Sequence, residues 1–139
     1  MMFTYDCYCQ TEPIAKVNRS FKEILKSDKW ITDNILGLDA KIEKYELTKY
    51  HPITKFAGII TQFMESSSFH SEYISWCGTD YFTKASGKYK FLDKDKIAVA
   101  VETVSYSGEW EKPKEQRETK YLTYVVSISG DTIFLTKQD

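Results

Sequence analysis

At 139 residues, 42% of them hydrophobic and 28% charged, the chain is one domain's worth of sequence with enough apolar residues for a sizeable core. A net charge of −1, with only Arg19 and Arg117 as arginines among 19 basic residues, weighs against a phosphate-neutralising, nucleic-acid-binding surface. No apolar run approaches the ~20 residues of a membrane span, and the N-terminal MMFTYDCYCQ has neither the basic nor the apolar part of an export signal.

Cys7, Cys9 and Cys77 are an odd set without the spacing of a disulfide framework, which suits a reducing compartment. The expectation is a cytoplasmic protein with no membrane and no nucleic-acid partner.

Residues 1–10 alternate aromatic and apolar side chains (Phe3, Tyr5, Cys7, Cys9), as an edge strand or a docking arm would. Thr11-Glu12-Pro13 has the form of a helix start. From there Ile14, Val17, Phe21, Ile24 and Leu25 recur at spacings of three and four, which predicts one amphipathic helix over about 12–26. Ser27-Asp28 ends it. Residues 29–38 are ambiguous by pattern; Trp30, Ile31, Ile35 and Leu36 fit a second, short helix, with Gly37 as its C-cap. Residues 40–50 read as a strand, interrupted by His51-Pro52 because Pro lacks a ladder donor.

Residues 57–65 and 69–77 form a predicted hairpin around Ser66-Ser67-Ser68. After Gly78-Thr79-Asp80 comes 81–84, then a break at Ala85-Ser86-Gly87, and then the most regular part of the chain. Strand-like runs at 87–92, 96–106, 119–129 and 132–136 are rich in Val, Ile, Thr, Tyr and Phe. Asp93-Lys94-Asp95 and Ser129-Gly130-Asp131 separate two of the junctions, and Gly130 supplies the positive φ of a short hairpin connection.

Short connectors place sequential strands side by side. The predicted fold is therefore a mainly β single domain over 1–139, with its meander at about 40–137. It is an up-and-down antiparallel β-barrel of about eight strands, because an open sheet of that size leaves two long edges. The N-terminal helix would cap one mouth or pack in the concave face. An α+β roll is the alternative.

Three stretches carry a likeness to a known group: Trp30 shortly before the first strand, GKYKFLDKDKIAV at 87–99, and YLTYVVSISGDTIFLTK at 121–137. Together they resemble the lipocalin-like, or calycin, small barrels over about two-thirds of the chain. That group's Gly-x-Trp is replaced here by Asp28-Lys29-Trp30, and the clear helix precedes the barrel instead of following it. The resemblance implies a barrel holding a small apolar molecule, with no catalytic machinery and no cofactor.

Ten tyrosines point the same way, since Tyr combines a large apolar body with a polar tip and lines half-wet cavities. The expected ligand liners are Tyr73, Trp76, Tyr89, Tyr106 and Tyr124, although strand parity cannot turn all five inward together. His70 and Glu72 share a strand face and suit a base and its orienter, but no nucleophile is marked beside them, Ser71 and Cys77 being the nearest. Cys7-x-Cys9 with Cys77 and His70 is a poor tetrahedral set, so no metal is expected. Glu102 breaks the apolar run Ile97, Val99, Val101, and is read as an outward residue sharing its face with Ala98, Ala100, Val104 and Tyr106.

The longest connector, 107–118, is charged and holds a lone Trp110 flanked by Glu109, Glu111, Lys112 and Arg117. Its flanking strands are long enough, at ~3.4 Å per residue, to project beyond a small barrel as a ribbon. Trp110 and Arg117 are thus the expected contacts for a protein partner or a second copy of the chain; a lid over the mouth and a Trp110 folded back on the barrel rim are the alternatives. The second functional expectation is accordingly an immunity or inhibitor protein acting through its surface.

Overall fold

The structure, a computed structural model, describes residues 20–138. Its elements are α1 (Phe21–Ser27), β1 (Lys29–Thr32), β2 (Lys44–Lys49), β3 (Ala57–Phe63), β4 (Ser68–Ser75), β5 (Tyr81–Asp93), β6 (Lys96–Gly108), β7 (Glu115–Gln116), β8 (Leu122–Ser129) and β9 (Thr132–Lys137). Every strand pairing is antiparallel. The hydrogen-bonded order is β5-β4-β3-β1-β2-β9-β8-β6-β7, and β5 also pairs with β6. Eight strands thus close into a ring, and β7 lies on the free flank of β6. Among the described residues the fold is mainly β with one helix, as the strand pattern predicts, although the ring is not a regular barrel.

Alternation places the side chains. In β2 Tyr45 and Leu47 point inward while Lys44 and Glu46 stay exposed; in β9 Ile133 and Leu135 do the same. Trp30, Tyr45, Tyr124, Phe63, Phe69, Leu47 and Ile97 are all fully buried and fill the ring. Leucine- to tryptophan-sized side chains of this kind each contribute roughly 1.5–3 kcal/mol on burial.

Both mouths are covered. At one end Phe21, Ile24 and Leu25 of α1 join the core, and the Trp30 indole Nε1–H donates to the Leu25 carbonyl at 2.9 Å. At the other end residues 33–43 fold over the ring. The Leu36 amide donates to Ser71 Oγ at 3.0 Å, the Gly37 amide to the Tyr45 hydroxyl at 3.1 Å, and Arg117 Nη1 to the Leu38 carbonyl at 2.9 Å.

Four sequence expectations are corrected. The described helix does not run through from residue 12: Ser20 is extended and caps a new start, with its side chain and Glu23 forming a reciprocal capping box. The earlier part of the expected helix lies outside the described residues, as do Cys7 and Cys9. Second, Lys29–Thr32 is a strand, not a helix, because it has a partner on each side, β2 and β3, and buries Trp30 and Thr32 on one face. That insertion also breaks the simple neighbour order, since β2 and β3 flank β1 and residues 50–56 must cross it.

Third, Ala85-Ser86-Gly87 is no break; β5 runs straight through it. The irregularity sits opposite, where Ser86 pairs with Thr103 but Gly87 pairs with Val101, leaving Glu102 as the extra residue of a β-bulge. The bulge reverses parity, so Val104 joins Ile97, Val99 and Val101 in the core, with Tyr106 packed against it. Fourth, the 96–106 and 119–129 runs do not form a projecting ribbon. The long partner of β6 is β5, whereas β8 meets β6 only over Lys96–Val99.

Candidate functional site

The end of the ring where β4 finishes and β5 begins carries two of the three exposed aromatic side chains among the described residues, Trp76 and Tyr81; the third, Tyr121, lies before β8 with Lys90 Nζ over its ring. Past Glu72 and Lys84 these two strands cease to pair and splay apart. Trp76 sits just beyond β4, 62% exposed, its amide donating to the Phe56 carbonyl at 3.0 Å and Lys55 Nζ standing 5.4 Å from its ring centre. Tyr81 opens β5 and is also largely exposed, as is Ile53 in the crossing loop.

Trp110 lies over this same end. Its indole N–H donates to Thr83 Oγ1 at 3.1 Å, and its ring meets Tyr81 at 5.0 Å and Tyr106 at 5.7 Å, both edge-on. Lys112 Nζ caps both Trp110, at 4.3 Å, and Tyr106, at 5.0 Å. The connector is held down behind it: Glu115 and Gln116 pair with Val104 and Thr103, and Glu115 accepts from Arg117 Nε at 2.7 Å and from the Tyr106 hydroxyl at 3.2 Å. Arg117, foremost by its hydrogen bond, holds the Glu115 carboxyl below the usual carboxylate range. Trp110 is therefore half-buried against the sheet, not displayed at a tip. Strand lengths read as though they paired with each other hid this; the charged Glu115-Gln116 pair gave no strand signal.

The five expected ligand liners do not converge. Tyr89 and Tyr124 are buried, Tyr106 lies under Lys112, and Trp76 faces solvent. Tyr73 stands in the splay between β4 and β5, its hydroxyl donating to Asp80 Oδ2 at 2.7 Å. Tyr89 donates to the Met64 carbonyl at 2.6 Å, at the far end of the ring. Tyr124 packs edge-on to Tyr45 at 5.6 Å with its buried hydroxyl unpartnered, and burial above all, with the Tyr45 phenol next, raises its pKa.

His70 and Glu72 do meet on the outer face, in a polar row that includes Gln62, Ser86 and Thr103. Nδ1 of His70 stands 3.5 Å from Glu72 Oε2 without a hydrogen bond, and Lys84 Nζ is 3.7 Å from the same oxygen. Burial first, then the charge of Lys84, depresses the His70 pKa, with Glu72 opposing. Ser86 and Thr103 are the hydroxyls of this row, but among the described residues no hydrogen bond joins the His70 ring to a Ser, Thr or Cys side chain. Ser71 points inward, fully buried in a hydroxyl chain with Thr61 (2.7 Å) and, through it, Thr32 (2.9 Å). Glu102, on the bulge, is half-buried and accepts from Thr119 Oγ1 at 3.0 Å. Among the described residues no three His, Cys, Asp or Glu side chains converge on a common point, and no helix is long and apolar enough to cross a membrane.

No protein-family model, no curated protein and no solved structure matches this chain.

Proposed function

We propose that this chain is a non-catalytic binding protein that acts through its outer surface, with the Trp76–Tyr81–Trp110 end of the ring as the contact face for another protein. The observation that carries this reading is the contrast between the two ends of the tryptophan range. Trp30 is sealed in a ring filled by the chain's own side chains, whereas Trp76 lies 62% exposed at the same end of the ring as the Tyr81–Trp110 pair. Exposed and half-buried aromatic rings with Lys55 over Trp76, Lys112 over Trp110, and exposed Glu109 and Glu111 on either side of Trp110 in the chain have the composition of an interface centre with a polar rim. An inhibitor or immunity protein is of this kind. A lipocalin-like carrier would instead hold an apolar ligand inside the ring, and would need Trp30, Tyr45 or Tyr124 to give way.

The test compares wild-type protein with Trp76→Ala in cross-linked extracts of the source cells and in sedimentation of the purified chain. A stoichiometric partner protein held by wild type and lost by the variant at unchanged thermal stability supports the proposal; a second copy of the chain held in its place overturns it. A monomer with no stoichiometric partner overturns it. A fatty acid that raises stability by about 2.7 kcal/mol at 100 times its dissociation constant, with core resonances moving, would favour the carrier reading.

A further inference from the structure

β6 and β8 part company after Val99 and Leu122, and β7 takes up β6 again only at Thr103. Between those points the flank of β6 around Val101 is bordered by no strand of the described residues. The opening is roofed by the loop that covers the mouth. Gly37, Leu38 and Ala40 on that side, with Val101, Leu122, Arg117, Glu118 and Lys120 on the other, enclose a cleft of about 330 Å³. Volumes from about 300 Å³ are those of small-molecule sites.

The chemistry of the walls is asymmetric. Leu38, Val101 and Leu122 make an apolar floor. On one rim the Arg117 guanidinium is fixed before any ligand arrives, with Nε on Glu115 at 2.7 Å and Nη1 on the Leu38 carbonyl at 2.9 Å. Nη2 carries no hydrogen bond among the described residues, and Lys120 is a second basic side chain of the lining. A held, planar guanidinium with an open edge is suited to a carboxylate, because the ordering of the side chain precedes binding. Glu118 is the lone acidic side chain of the lining, and Lys120 offsets it.

We infer that this seam is a binding site for a small carboxylate with a compact apolar body. The carboxylate meets Arg117 and Lys120, and the hydrocarbon lies on Leu38, Val101 and Leu122. The site is separate from the aromatic end proposed to contact a protein, and it stands or falls on its own.

Titration of the full chain with hexanoate, followed by amide and methyl NMR, tests it. Hexanol and hexylamine of the same length serve as controls. Saturable shifts centred on Gly37, Leu38, Val101 and Leu122, with hexanoate binding at least tenfold more tightly than either control, are the expected result. Ala40→Phe, at an exposed lining position, should fill the cleft and abolish the shifts without altering the rest of the spectrum. Lys120→Gln should weaken hexanoate several-fold and leave hexanol unchanged. Equal binding of hexanoate and hexanol, shifts elsewhere, or undiminished binding by a folded Ala40→Phe protein overturns the inference. Stronger binding of leucine than of hexanoate would do so too, by making Glu118 a ligand for an ammonium group.

Discussion

Gly87 and Ala100 approach so closely across β5 and β6 that a Cβ on Gly87 would overlap the Ala100 carbonyl oxygen and stand 3.0 Å from the Glu102 nitrogen. The bulge at Glu102 is what brings that backbone in, and it is also what turns Val104 toward the core.

Gly87→Ala should therefore destabilise the fold by roughly 3 kcal/mol, the upper end of the overpacking range, because the obstacle is backbone and not a movable side-chain tip. Urea unfolding measures it. A loss under ~0.5 kcal/mol would mean that the bulge relaxes freely and does not set the register.

The tyrosine pair in the core should respond unequally to loss of a hydroxyl. Tyr124→Phe removes a buried group that lacks a partner, so its stability should be unchanged or slightly higher. Tyr45→Phe leaves the Gly37 amide without its acceptor and should cost about 1–2 kcal/mol. Equal losses in the two variants would show that Tyr124 has a partner in solution.

His70 should make stability depend on pH. Its folded-state pKa is depressed below 6.5, chiefly by burial and then by Lys84. As pH falls through 6.5 the unfolded chain takes up a proton that the folded chain refuses, so stability drops until the folded value is passed. Compared with His70→Gln, wild type should lose stability over that window and run parallel above it. A wild-type gain on acidification would mean that Glu72 outweighs burial.

Trp110 and Trp76 should separate structure from recognition. Trp110→Ala loses the Thr83 hydrogen bond and two ring contacts, and should cost about 2 kcal/mol of stability. Trp76→Ala should change stability by less than ~0.5 kcal/mol while weakening partner association by ~2 kcal/mol or more. Loss of association with Trp110→Ala alone, at full stability, would move the contact face to the connector.

Local chemistry made much of the β-architecture readable from the sequence. Gly130 with φ 62 turns β8 into β9, the serines at 66–68 turn β3 into β4, and strict alternation in β2 and β9 predicts their inward faces. These features depend on neighbours within a few residues, where backbone sterics and side-chain period act directly. Tertiary structure decided the rest. Trp30 belongs to a strand because β2 and β3 supply partners for its backbone, and a run of 29–36 carries the same apolar residues in either conformation. The bulge that inverts parity after Val101 arises from where Ser86 and Gly87 meet β6, a pairing across the sheet that no local pattern encodes. Trp110 lies on Tyr81, Tyr106 and Thr83 because β7 binds β6 and folds the connector down. The seam cleft exists only because β6 leaves β8 after four paired residues and Arg117 reaches across to Leu38, a contact between segments 79 residues apart. Distances of that kind are set by the closing of the ring, so the candidate sites appear only once the chain has folded.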